Sequence, residues 1–132
     1  EQEMPLANTS ISAQAESTFL TSITDKELDI TREVRALLAR HLDAVPSLED
    51  VAELLQVSSR TLRRNLKKQG TSYVEIVEDL RRETAISKLL NSNQSITDIA
   101  IRLDFYDTSS FSKAFKRWTG ETPGEYRRHL GQ

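Results

Sequence analysis

The segment Ser47–Leu55, SLEDVAELL, returns 48 residues later as SITDIAIRL, Ser95–Leu103. Ser47/Ser95, Asp50/Asp98, Ala52/Ala100 and Leu55/Leu103 share that offset, as do Val57 and Phe105; Leu62/Phe111 and Leu66/Phe115 follow at 49, and Gly70/Gly120 at 50. Self-similarity of this kind marks one supersecondary unit used twice. Each copy opens with a Ser placed to cap a helix and an acid in the first turn, where it meets the positive end of the helix dipole. Apolar residues at helical spacing follow, Leu48, Val51, Ala52 and Leu55 in the first copy. A tight turn with one apolar residue then leads into a second helix whose surface is polar and basic. The small Ala on the inner face lets two steeply crossing helices approach closely. The pattern predicts two helix-turn-helix units, a motif whose second helix lies in the major groove of DNA.

The flanking segments also read as helices. Ile30, Val34, Leu37, Leu38 and His41 follow one helix face, and that helix ends before Pro46. Leu62 and Leu66 mark the buried side of the first recognition helix, which Gly70 closes in a left-handed C′ position. Ser72 and Glu75 form a capping box that opens a long helix running to about Leu90, with Tyr73, Val77, Leu80, Ala85, Leu89 and Leu90 as its apolar stripe. Asn91-Ser92-Asn93-Gln94 breaks it. In the second copy Asp107 is the expected N-cap, and Phe111, Ala114, Phe115 and Trp118 are the core face. Thr122, Pro123 and Glu125 start a last helix with Pro at its first position. The expected layout is a linker or disordered tail at 1–28 and a DNA-binding domain at 29–132. Within that domain fall a first unit at about 47–70, a linker helix at about 72–90, a second unit at about 95–120 and a last helix at about 122–130. A short amphipathic turn around Phe19, Leu20 and Ile23 is the one patterned feature of the tail.

Composition agrees with an all-α domain. The 132 residues contain 37% hydrophobic and 29% charged side chains, a mixture that folds rather than stays disordered. Four Gly and three Pro supply too few turns for a sandwich or barrel. The absence of Cys removes disulfides, thiolate nucleophiles and Cys-ligated metals, and it fits a reducing cytoplasm. No apolar run reaches the roughly 18 residues that span a bilayer, and no basic-then-apolar leader opens the chain, so no membrane role is expected. The chain begins with Glu1 rather than Met and is expected to be a fragment or processed product of something longer.

The net charge of −2 hides an uneven distribution. Residues 1–28 carry a net −4 and residues 29–132 a net +2, and the stretch 58–72 holds Arg60, Arg63, Arg64, Lys67 and Lys68 with no acid. With Leu62 and Leu66 turned inward, the first recognition helix exposes Arg60, Thr61, Arg63, Arg64 and Lys67. Arg reads guanine O6 and N7 with two hydrogen bonds, worth about 1–3 kcal/mol of discrimination per pair. The second exposes Thr108, Ser109, Ser110, Ser112 and Lys113, with Lys116 and Arg117 a turn later. Its hydroxyls contact several bases, so it is expected to add affinity more than sequence information. A solvated basic face is the bland alternative for the first stripe, and the duplicated helix-turn-helix frame argues against it.

Other chemistry has little support. His41 and His129 lie 88 residues apart with no ligand partners, so no metal or cofactor is expected. His41 reads instead as the edge of the first helix's core face. The pairs Glu49-Asp50 and Glu78-Asp79 sit where cap and solvent-face acids belong, no Gly-rich phosphate loop occurs, and the chain is not expected to be an enzyme. Two small cores also leave no obvious room for a metabolite pocket of several hundred Å³. The rival from another class is a helical protein–protein interaction module.

From Ile99 to Arg127 the chain carries I-A-x-x-L-x-F-x-D-x-S-x-F-S-K-A-F-K-R-W-T-G-x-T-P-x-E-Y-R, and Ser47–Arg128 as a whole resembles the DNA-binding domain of AraC/XylS-type bacterial transcription regulators. The run R-T-L-R-R-N-L-K-K-Q-G-T-S-Y, residues 60–73, is similar to the subgroup whose N-terminal half is an arabinose-binding-type effector domain. The resemblance implies seven helices in two helix-turn-helix subdomains on a rigid central helix, binding two successive major-groove segments as a monomeric unit. It implies base contacts by Arg60, Thr61, Arg63 and Arg64 in one segment and by Thr108, Ser109 and Lys113 in the other. Phosphate contacts would come from Ser58, Lys67, Lys68, Ser112, Lys116 and Arg117. The implied partners are promoter DNA and RNA polymerase, with activation as the implied role and a dimer open to the full-length protein. Two positions depart from the pattern. Asp104 replaces the glycine usual in the second turn, which calls for a left-handed or strained residue there; Asn65 stands where many relatives are basic, trimming phosphate contact.

Overall fold

The computed structural model describes residues 30–130, and the expectations for the tail at 1–28 lie outside them. Seven helices and no strand form among the described residues: α1 (30–39), α2 (Leu48–Leu54), α3 (Ser59–Lys68), α4 (Tyr73–Asn91), α5 (Ile96–Arg102), α6 (Thr108–Thr119) and α7 (Pro123–Leu130). The all-α architecture is therefore as the sequence predicts.

The starts of α2 to α7 are all capped. Ser47, Ser58, Ser72 and Ser95 accept from the backbone N–H three residues on, and Asp107 does the same for Ser110. At α7 the box is reciprocal: the Thr122 N–H donates to Glu125 Oε1 at 3.0 Å and the Glu125 N–H donates to Thr122 Oγ1 at 3.2 Å.

The ends of α2, α3 and α5 follow one device. After α3, the Thr71 N–H donates to the Leu66 carbonyl and Gly70 N–H to Lys67, with Gly70 at φ 78°. After α2 the same bonds run from Val57 to Ala52 and from Gln56 to Glu53; after α5 they run from Phe105 to Ala100 and from Asp104 to Ile101. This is the Schellman arrangement, and it requires a left-handed residue at C′. Gln56 sits at φ 61° and Asp104 at φ 66°, so both turns inside the helix-turn-helix units use a non-glycine residue there. The sequence pointed to Asp104; Gln56, its repeat partner, was not anticipated because nothing in its side chain marks the position.

One contiguous core runs through both units. Val34 and Leu38 of α1 join Val51, Ala52, Leu62 and Leu66 of the first unit, Ile76, Leu80, Ala85 and Leu89 of α4, and Ile99, Ala100, Leu103, Phe111 and Phe115 of the second. Ala52 and Ala100 are almost fully buried, as expected of small residues at helix crossings. His41 corrects the expectation placed on it. Helix α1 stops at residue 39, the Arg40 and His41 N–H groups bond back to Leu37 and Leu38, and this tightened turn leaves His41 exposed and puts Leu42 into the core instead. The α4 stripe also shifts, because Ile76 is buried and Leu90 only half-buried.

The expectation of no metabolite-sized hollow is likewise too simple. An open groove of about 590 Å³ lies between α1, α4 and α5, lined by Arg40, Leu42, Thr84, Lys88, Ile101 and Arg102 among others, and a second of about 430 Å³ lies between α1 and α2. The groove forms where the start of the second unit meets α4 and the end of α1, which no count of core residues reveals. No described helix is long and apolar enough to cross a membrane.

Candidate nucleic-acid interface

Helix α3 turns Leu62 and Leu66 into the core, which forces residues at 60, 63, 64 and 67 onto its outer face. Arg60, Arg63, Arg64 and Lys67 are all exposed and together line one shallow depression of about 280 Å³. No acid lies on the helix itself, but Glu49 of α2 reaches Arg63 at 3.6 Å, both side chains remaining about two-thirds exposed. An ion pair this open contributes little stability, so Arg63 stays available to another acceptor. Thr61 is half-buried and committed to the cap: its N–H donates to Ser58 Oγ at 3.0 Å, and the Ser58 hydroxyl donates to Thr61 Oγ1 at 2.9 Å. Lys68 is exposed at the last turn beside them.

Helix α6 repeats the geometry with softer chemistry. Phe111, Ala114 and Phe115 face inward, leaving Ser109, Lys113 and Lys116 exposed and Ser112 half-buried. At an offset of 49 these four match Arg60, Arg64, Lys67 and Arg63 in turn. The two recognition helices therefore carry the same stripe, once as four cations and once as two hydroxyls and two cations. Thr108 stands apart from the stripe: it is half-buried and its hydroxyl donates to Thr97 Oγ1 on α5 at 3.2 Å. Arg117 reaches across to Glu78 of α4 at 3.3 Å. Asp107 begins the helix, its carboxyl held below the ordinary range by the Ser110 hydroxyl and N–H, with Lys113 adding to the effect.

An aromatic cluster backs α6. Phe105, Phe111, Phe115, Trp118 and Tyr126 meet ring to ring at 5.2 to 6.2 Å, so these rings pack on one another and are not a stacking platform for bases; Phe111, Phe115 and Trp118 do so as the sequence predicts, and Tyr126 joins them unforeseen. Tyr106 is the exception, 95% exposed in the turn directly before Asp107. The sequence reading passed over it, although its position one residue out of phase with Phe105 was the available signal. Arg127 also went unassigned; its guanidinium donates to the Leu89 carbonyl at 3.0 Å and to Lys88 and Ser92, tying α7 to the end of α4. His129 pairs with Glu121 at 3.0 Å, far from any second ligand, and among the described residues no cluster of three or more His, Asp or Glu is placed to hold a metal ion.

Two capped, basic recognition helices on a duplicated frame define a helix-turn-helix DNA-binding domain. The helix-turn-helix domain model matches residues 51–129. Over 130 residues the chain is 38% identical to the ornithine utilization regulator of Pseudomonas aeruginosa, which covers 96% of this chain and 38% of that protein. The AraC-type transcriptional regulator of Chromobacterium violaceum superposes with a TM-score of 0.74 at 26% identity, over 82% of this chain and 97% of that one. The DNA-binding domain of AdpA, solved in complex with a target DNA, gives a TM-score of 0.68 at 26% identity over 74% of this chain and 89% of its own. The chain belongs to the helix-turn-helix family of AraC-type DNA-binding domains, a family of transcription regulators and not of enzymes. It spans less than half the length of the curated relatives it matches.

Proposed function

We propose that residues 29–132 are the promoter-reading module of a longer bacterial regulator, an activator working in the cytoplasm, which binds double-stranded DNA as a monomeric unit through α3 and α6 and presents RNA polymerase with a fixed complex. Arg60, Arg63 and Arg64 read bases in one major-groove segment; Ser109 and Lys113 read them in the next. Ser58, Lys67, Lys68, Ser112, Lys116 and Arg117 hold phosphates on either side. The observation that carries this reading is the repeated outer stripe of α3 and α6, which supplies two groove-facing surfaces of different chemistry on one frame.

The difference between the stripes sets the kind of site. The α3 stripe offers three guanidinium groups, each able to grip a guanine edge with two bonds, whereas Ser109 and Ser112 offer single hydroxyls that accept several bases. The recognised sequence is therefore asymmetric, with a strict half under α3 and a permissive half under α6. Selection from random duplex DNA tests this directly. It should return a non-palindromic site whose information is concentrated in one of two patches about 10 bp apart. A palindrome, or a single patch, contradicts the reading. Titrating the selected duplex against salt separates DNA binding from a protein-docking role, because binding through several Lys and Arg weakens steeply as counterions compete.

A further inference from the structure

Two separate bonds converge on the dipeptide that leads into the first helix-turn-helix unit. The Tyr73 hydroxyl, at the start of α4, donates to the Pro46 carbonyl. One residue earlier, the Val45 N–H donates to Asp104 Oδ2 at 3.0 Å, across 59 residues of sequence. Asp104 is the C′ residue of α5, the left-handed corner inside the second unit. The segment in front of Ser47 is thus held on one side by the central helix and on the other by the turn of the opposite unit. Arg81 of α4 lies beside the same corner, its guanidinium 4.8 Å from the centroid of the Phe105 ring.

We infer that Asp104 is a positioning residue for two-part DNA recognition: its carboxylate clips the turn of the second unit to the approach of the first and so sets the angle between α3 and α6. The inference rests on the reading that both helices enter DNA. Helix α4 fixes the distance between the units, and Arg127 anchors the second unit to the far end of α4. The angle between the units about the α4 axis is set separately from that distance, and the bond from Val45 to Asp104, which ties the approach of the first unit to the turn of the second, opposes its change. A glycine at 104 would take the left-handed turn at no steric cost but would leave the Val45 N–H to water. Asp at that corner instead accepts the backbone strain and supplies the acceptor.

The test uses the 132-residue chain and a duplex selected from random DNA, with spacer variants carrying one base pair more or fewer between the two contact patches. One base pair turns the second patch by about 34° around the duplex, which a rigid pair of units does not follow. The wild type is expected to lose about tenfold or more in affinity, since the misfit must be met from binding energy. Asp104→Gly removes the clip and should flatten that penalty to about threefold or less, while weakening binding to the original spacing, as loss of preorganisation demands. Asp104→Asn keeps an acceptor oxygen and should restore the wild-type penalty. Gln56→Gly is the control, since it relaxes the equivalent corner of the first unit without touching Val45. Amide exchange at Val45 gives a second readout, faster in Asp104→Gly and unchanged in Asp104→Asn and Gln56→Gly. If the wild type shows no dependence on spacing, the two-helix reading fails and the clip with it. If the wild type shows it and Asp104→Gly keeps it undiminished, the clip alone is overturned.

Discussion

Arg63 and Lys116 occupy outer-stripe positions on different recognition helices, and single substitutions should separate their duties. Arg63→Ala is expected to cost about 1–3 kcal/mol on the selected site and to relax preference at one base pair, because a two-bond contact to a base edge is lost. Lys116→Ala should weaken binding to all sequences alike and reduce the slope of log affinity against log salt by about one, the signature of one phosphate contact. Quantitative gel shifts on matched and mismatched duplexes read both. A uniform loss for Arg63→Ala would remove its base-reading role. Asp107 supports a different measurement. Its carboxyl is held low by the Ser110 hydroxyl and N–H, so the folded state favours the charged form. Its contribution is complete above the ordinary carboxylate value of 3.8 and is lost as pH falls through the lower folded value. Melting temperature should therefore drop on acidification below that range, and less steeply in Asp107→Asn, which keeps the cap without the titrating proton. Equal slopes for the two proteins would show that other carboxylates account for the acid limb.

Helices α2 to α7 owe their starts to caps, and α2, α3, α5 and α6 owe their ends to left-handed corners. The caps were legible because Ser and Asp ahead of a periodic run have one physical reason to be there, an oxygen for an orphan N–H. The corner at Gly70 was legible for the same kind of reason, and the one at Gln56 was not, since Gln tolerates that conformation without being selected by it. That corner yields a prediction of opposite sign to most substitutions. Gln56→Gly should stabilise the domain by up to about 1 kcal/mol, because a side chain at φ 61° costs that much and glycine does not. Chemical denaturation measures it, and a loss of stability would mean that the Gln56 side chain makes contacts that outweigh the strain. His41 shows the limit of periodicity. A face projected past the last helical residue assigns burial wrongly once the chain tightens, and here the burial passes from His41 to Leu42.

The molecule as a whole is two similar units sharing one core, and both stability and recognition should report that. Since buried side chains run without interruption from Val34 through α4 to Phe115, calorimetry is expected to show a single transition with equal calorimetric and van't Hoff enthalpies. Two resolved transitions would mean that the units unfold separately. On DNA, α4 has 19 residues and spans about 28 Å at 1.5 Å per residue, near the 34 Å that separates successive major-groove segments on one face of the duplex. Inserting about 5 bp between the contact patches turns the second to the opposite face, beyond the reach of a fixed linker, and affinity should fall to that of one unit. Full affinity on that duplex would abandon the two-unit model.

Helix number, caps, core faces and the duplicated basic stripe could be taken from the amino-acid order because each is a local matter of hydrogen-bond supply and 3.6-residue periodicity. The same holds for the assignment to a DNA-binding class, which rests on the repeat from Ser47 and Ser95. Other features depend on residues far apart in the chain. Arg127 against the end of α4, Glu49 beside Arg63, Thr108 tied to Thr97, and Asp104 clipped to Val45 are pairings across 11 to 59 positions. No period or cap encodes them, since each arises only when one element is packed against another and a polar group meets whatever partner that angle provides.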